Sequence, residues 1–237
     1  MKPRLQNDDS APEVNQELAA AKNSVVHLSD ARRLTRRRDE TPHPALAKEI
    51  EEARDLLDRG QSSEAESRLR RIIMTAGGGD KAPLLARARC TLSVALEMLG
   101  RYPESLETVQ MYETPESRAH LDAETATSLR VRIGLAYNYT GDHPKAIALL
   151  NAAQRETSEA GSDAQMGAVY EALARIYRSI AEYTIARDHA HKALDHYRRT
   201  GDWRGLAEAY FSIALADMHE GDYDAGLENF KQATTLV

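Results

Sequence analysis

Small and large apolar residues fall on a beat of about 40 positions. Tyr170 is matched by Tyr210, Ala174 by Ala214, Tyr183 by Tyr223 and Ala193 by Ala233, each pair 40 residues apart. Self-similarity at such a period is the mark of a repeat array. Within each unit, small residues hold two places. In the first half they are Ala53, Ser93, Gly134, Ala174 and Ala214; in the second they are Ala65, Ser105, Ala146, Ala186 and Gly226. A small residue on each of two helices lets their backbones approach closely. Larger residues fill the adjoining layer at Leu56, Leu96, Tyr137 and Tyr177.

Turn residues separate the halves at Gly60, Gly100, Gly141, Ala181 and Gly221. A second signal, Asp80, Asp122, Asp163 and Asp202, predicts helix starts, because an aspartate accepts hydrogen bonds from the free amides of a first turn. Gly79, Gly161 and Gly201 stand just ahead, where a helix end favours a left-handed residue. Two alternating signals predict two helices per unit, and no segment reads as a strand. The predicted fold is all-α: a superhelix of about five antiparallel helix pairs over residues 46–237.

The small residue, the large residue, the Gly-Asp-Tyr turn and the following Ala resemble the tetratricopeptide repeat family. The best matches are Ala214 with Gly221-Asp222-Tyr223, and Gly134, Tyr137 and Gly141-Asp142 with Ala146 and Ala153. The family's usual unit is about 34 residues. The longer spacing here resembles a subset found in bacterial regulators and signalling proteins. The resemblance implies a protein–protein interaction scaffold or a regulatory sensor module, as part of a larger signalling or transcription-regulatory protein. There are departures. Glu49 and Glu52 stand in apolar places, so the first unit reads as a weak cap. Asp217 and Gly226 replace a large apolar residue and an alanine, so the fifth unit is expected to be locally loose.

Residues 1–45 read as a separate N-terminal extension. Val14, Leu18, Ala21, Val25 and Leu28 form an amphipathic stripe, expected to cover the first repeat or to lie in the groove. Arg32, Arg33, Arg36, Arg37 and Arg38 follow, and Thr41-Pro42-His43-Pro44 reads as a break. The extension carries eight basic and seven acidic residues, and the remainder 23 against 30, or −7. An arginine cluster suits a nucleic-acid-associated regulator, the alternative reading. It lacks interleaved aromatics for stacking on single strands, and the acidic body repels a polyanion, so nucleic acid is disfavoured as a partner.

At 42% apolar and 29% charged, the 237 residues suit a folded soluble chain. No run of about 18 apolar residues is present to cross a membrane, and residues 1–10 lack a secretory signal's apolar stretch. The expected location is the cytoplasm. Cys90 is the one cysteine, which excludes an internal disulfide and a cysteine-rich zinc site. It reads as a small apolar residue rather than a nucleophile. Asp188, His191 and Asp195 share a helix face but fall short of a zinc ligand set. Gly77-Gly78-Gly79 lacks the Gly-Lys-Ser/Thr of a phosphate loop. No nucleophile and base can be assembled, so the chain is not expected to be an enzyme, to bind a metal or to hold a cofactor. An accessory domain of an enzyme whose catalytic part lies elsewhere is a further alternative.

In the resembled family the first helix of each pair lines a concave groove. Mapped onto this chain, that face offers Val94, Met98, Val131, Leu135, Tyr139, Arg175, Arg178, Phe211 and Met218 as partner-binding residues. Apolar groups on an exposed face mark binding sites; the opposing reading packs them between repeats. The basic clamp of chaperone-binding members is not expected, since Cys90, Val131, Glu171 and Phe211 stand where its basic residues would be. The expected partner is a protein or peptide. Phe230, Ala233, Leu236 and Val237 form a last apolar stripe, expected to meet a further helix beyond Val237 or a second copy of the chain.

Overall fold

The computed structural model describes residues 43–160 and 162–236. The stripe from Val14 to Leu28, the arginine cluster, Thr41-Pro42, Gly161 and Val237 lie outside the described residues. The described residues are helical, with no strand among them. Helices α1 (Pro44–Asp58) and α2 (Ser62–Thr75) form the first pair, and α3 (Ala82–Met98) and α4 (Tyr102–Val109) the second. A short α5 (Pro115–Arg118) precedes the third pair, α6 (Ala123–Tyr139) and α7 (His143–Ala160). The fourth is α8 (Asp163–Ser179) with α9 (Tyr183–Thr200), and the fifth is α10 (Trp203–Glu220) with α11 (Tyr223–Leu236).

One hydrogen bond closes the turn inside every pair. The amides of Gln61, Arg101, Asp142, Glu182 and Asp222 donate to the carbonyls of Leu56, Leu96, Tyr137, Tyr177 and Asp217, all at 2.8–2.9 Å. The residue before each donor is left-handed, which closes the helix end. Four of these are glycines; Ala181 takes the same conformation with φ 64°, at a steric cost of about 1–2 kcal/mol. The small residues read from the sequence lie at the seam: Ala53, Ala65, Ser93, Ser105, Ala146, Ala174 and Ala214 are all buried.

Adjacent first helices touch: α1 meets α3, α3 meets α6, α6 meets α8 and α8 meets α10. The second helices of neighbouring pairs make no comparable contact. The array therefore curves with the first helices inside. The curl brings Arg204, at the start of α10, within 2.9 Å of Asp58, at the end of α1.

Three expectations are corrected. The second pair's second helix stops at Val109, and a 3-10 turn, Gln110–Tyr112, and α5 take its place. Pro115 forces Thr114 into an extended backbone with ψ 151°, since proline disfavours helix just before it. Buried Arg118 closes this detour by donating to the carbonyls of Tyr112 and Glu113. Next, Asp122 and Asp202 cap their helices, but Asp80 and Asp163 do not. Ser162 caps α8 instead, freeing Asp163 to accept from His196 and Arg199. Asp80 accepts from His43 at 2.9 Å. Finally, the fifth pair is not loose around its departures. Asp217 is buried and accepts from Arg187 at 3.2 Å and Asn229 at 2.9 Å. A Cβ at Gly226 would stand 2.8 Å from Met218 Cγ and 3.1 Å from the Ala214 carbonyl.

The fourth and fifth pairs meet around Tyr197, whose buried ring lies between two glycines. A Cβ at Gly205 would stand 2.4 Å from that ring, and one at Gly167 would stand 2.7 Å away. With both sides occupied, the ring has nowhere to retreat. Gly205→Ala is expected to destabilise the fold by about 1–3 kcal/mol, despite the better helix propensity of alanine. A urea melt checks this, and an unchanged midpoint would contradict the close contact.

Candidate binding groove

Polar side chains stitch the inner helices together, one repeat to the next. Arg87 donates to Glu51 at 2.6 Å, and Arg132 to Glu97 at 3.2 Å. Arg175 donates to the Tyr139 hydroxyl. Ser179 donates to Asn138 at 2.6 Å, and Ser212 to Glu171 at 2.6 Å. The partners are 35, 36, 36, 41 and 41 residues apart. With a 40-residue unit, such steps reach about one helical turn back, or one residue on, along the neighbouring inner helix. These bonds hold the repeats in register.

The ladder leaves one place incompletely paired. Between α8, α10 and α11 an open cleft of about 700 Å³ is lined by Glu171, Arg175, Arg178, Phe211, Ser212 and Phe230, among others. That volume is within the usual range for ligand sites. Phe211 is 49% exposed, and its ring meets Phe230 edge-on at 5.4 Å. Glu171 is only 5% exposed. Its Oε1 accepts from Ser212, while Oε2 is buried without a partner. Burial pushes its carboxyl up to about 8, because a low-dielectric surrounding disfavours the charged form. Arg178 Nε is also buried and without a partner.

The structure sorts the residues mapped onto the concave face. Arg175, Arg178 and Phe211 come together at the cleft. Tyr139 stacks on Tyr102 at 4.9 Å and takes the bond from Arg175. Val131 and Leu135 are core: Leu135 is 1% exposed, so neither offers a surface to a partner. Val94 packs against the first pair's Leu56, Leu57 and Ala65. Met98, 52% exposed, takes a hydrogen bond from Ser62 at 3.6 Å. Met218 lies over Gly226 of α11. Both methionines end an inner helix and sit at a seam with an outer one, so they are displaced from the cleft. In the last stripe, Ala233 is buried, Phe230 turns onto Phe211, and Leu236 packs against the Tyr197 cluster.

The sequence places Glu171 on the groove face, though not among the partner-binding residues, and does not place Ser212 or Phe230 there. A signal existed for Glu171: it occupies the place of Val131 and Phe211, one repeat away on either side. A carboxylate on an apolar position asks for a partner or a purpose.

Three histidines are taken up by aromatic packing. His189 stacks on Tyr177 at 5.2 Å, His196 on Tyr170 at 5.4 Å and His219 on Tyr183 at 4.5 Å. Burial pushes the Cys90 thiol up to about 11, so it is protonated near neutral pH and a poor nucleophile. Burial, with Lys192 nearby, lowers His189 to about 4. The folded state then holds His189 neutral while the unfolded chain takes up a proton below about 6.5. Stability from this group is full above about 6.5 and falls as the pH drops toward 4. After allowance for solvent screening, about 1 kcal/mol is expected from it. His189→Phe should flatten the difference between melts at pH 7 and pH 4.5; an unaltered slope would contradict the assignment.

Residues 207–236 match the family model described as tetratricopeptide repeat. No curated protein matches the chain in sequence. Among solved structures, the chain is similar to a kinesin light chain-like protein of nearly identical TPR-like repeats from Podosopora anserina. The identity is 20%, with a TM-score of 0.54, over 83% of this chain and 97% of that one. It is also similar to BtubC (BKLC) from P. vanneervenii, at 16% identity and a TM-score of 0.57, over 97% and 91% of the two chains. At such identities the likeness speaks for the fold. The chain therefore carries a tetratricopeptide repeat at residues 207–236 and has the superhelical fold of tetratricopeptide-like repeat proteins.

Proposed function

We propose that the chain is a protein–protein interaction scaffold or regulatory module that binds a peptide or partner helix on its inner face. The cleft beside Phe211 carries this reading. Among the described residues, the buried side-chain atoms of the inner helices that lack a hydrogen-bond partner, Glu171 Oε2 and Arg178 Nε, both belong to residues of the cleft, beside a half-exposed aromatic ring. An apolar pocket with a few convergent polar groups is the usual form of a binding site. A larger signalling or regulatory protein is the context that the 40-residue unit suggests. No helix of the described residues is long and apolar enough to cross a membrane.

The test is comparative affinity capture. The parent chain, Phe211→Ala and an outer-face control, His191→Ala, are used as bait in lysate of the source cells. Truncating a binding anchor commonly costs about 2 kcal/mol or more, roughly a thirtyfold loss. At least one protein is expected to be held by the parent and the control and lost by Phe211→Ala. Equal recovery by all three baits would move the site off this face.

A further inference from the structure

On the second helix of a pair, three positions are covered in each of the first four pairs and uncovered in the fifth. Tyr223 on α11 corresponds to Ser62, Tyr102, His143 and Tyr183, which are buried or half-buried. The end of the next pair's first helix meets three of them: Met98 meets Ser62, Tyr139 meets Tyr102 and His219 meets Tyr183. Leu227 corresponds to Glu66, Leu106, Ile147 and Arg187, all half-buried. Phe230 corresponds to Leu69, Val109, Leu150 and Ala190, all fully buried. In the fifth pair Tyr223 is 64% exposed, Leu227 is 55% exposed and Phe230 is only half-buried. At i, i+4 and i+7 they form one ridge along α11. An exposed apolar ridge is a surface for association.

The two ends of the array differ, and the difference selects the occupant. On α1, Glu52 holds the place filled by the buried Leu92, Ile133, Leu173 and Ile213. With Glu49, Arg68 and Arg71 it lines a pocket of the first pair. Seating the ridge there would strip water from charged groups without replacing it, so copies do not stack head to tail. The ridge can instead meet its own copy about a two-fold axis. Asp224 and Lys231 lie along one edge of the ridge, three residues before Leu227 and four after it. When two copies of α11 cross antiparallel with Leu227 at the axis, Asp224 of each copy faces the partner's Lys231. Within one copy Lys231 has Glu228 at 3.5 Å, an exposed pair that holds it only weakly. We propose that the chain forms a two-fold dimer through α11, with Leu227 at the axis, Tyr223 and Phe230 packed beside it, and Asp224 of each copy set against the partner's Lys231. A helix of this length offers a strip about 20 Å by 10 Å. That is smaller than the roughly 800 Å² per partner of a stable interface, so the dimer is reversible and forms as concentration rises. Tyr223, Asp224, Leu227 and Lys231 are not among the residues of the cleft, so this pairing does not rest on the inner-face reading.

Sedimentation equilibrium of the full chain in low salt, from about 1 μM to about 1 mM, tests the proposal. The mass should rise from one protomer toward two and no further. Leu227→Glu, at an exposed position, should stay monomeric throughout while keeping the parent's helical circular dichroism. Asp224→Lys alone and Lys231→Asp alone each turn the facing charges into repulsions and should weaken the dimer about tenfold. An equimolar mixture of these two variants should pair as well as the parent, because every facing charge is again opposite; a folding defect cannot produce that recovery. A parent that is monomeric at about 1 mM would give the ridge to a different protein and overturn the proposal. So would growth beyond two protomers, a dimer indifferent to Leu227→Glu, or a mixture no stronger than its components. Capture by the inner face is read at Phe211 and dimerisation at Leu227, so either can fail without the other.

Discussion

Glu171→Gln is expected to make the protein more stable at pH 8 and no more stable at pH 4.5. Burial raises the folded carboxyl from 4.5 to about 8. The folded state thus keeps a proton that the unfolded chain gives up. Stability from this group is fully present below about 4.5 and is lost as the pH rises through about 8. Each unit of difference corresponds to about 1.4 kcal/mol, so the loss over that window is on the order of 4–5 kcal/mol. Glutamine keeps an acceptor for the Ser212 hydroxyl, 2.6 Å away, and cannot ionise. The measurement is a series of urea melts of parent and variant from pH 4.5 to 8.5. Taking the difference between them cancels carboxylates shifted the other way, such as Asp122 and Asp163. Parallel curves would show that Glu171 is not buried as the structure has it.

Asp217 is the second place where one substitution should act strongly. It holds Arg187 of α9 and Asn229 of α11 from the middle of the fifth pair. Asp217→Ala leaves both donors short of an acceptor and opens a small void, at about 2–4 kcal/mol. Arg187 keeps Glu220 at 2.5 Å, which prevents a larger loss. Asp217→Leu should cost less, by about 1 kcal/mol or more. It restores the apolar residue found at the equivalent Leu56 and Leu96, and a well-packed hydrophobe often replaces a buried ion pair at little cost. Thermal melts of the two variants decide this. Equal losses would mean that the charge and its hydrogen bonds, which both variants remove, set the cost, and that filling the space does not.

Fold and site were legible to different depths, for a physical reason. Repetition fixed the helix pairs. Ala174 and Ala214 could be placed at a seam, and Gly221 at a turn, because the same steric demand recurs every 40 residues. Pro115 broke the beat, and the detour through α5 did not recur elsewhere to give it away. The groove was less legible because an inner face and a seam share one helical period. Leu135 and Phe211 are one apolar stripe in sequence, yet one is core and the other half exposed. Which of them meets solvent depends on the curl of the array and on Phe230, a residue of the outer helix. The ladder from Arg87 to Ser212 was hidden for the same reason: its partners lie on different helices, about one repeat apart.

The account rests on the inner face being where another protein binds. A photo-crosslinking amino acid placed at position 211 or at position 191, in the full chain expressed in its own cells, tests this most directly. Both positions are exposed, one on α10 in the groove and one on the outer helix α9. The account predicts a discrete adduct with another protein from position 211 and none of comparable yield from position 191. Adducts from position 191 alone, or equal adducts from both, would contradict it.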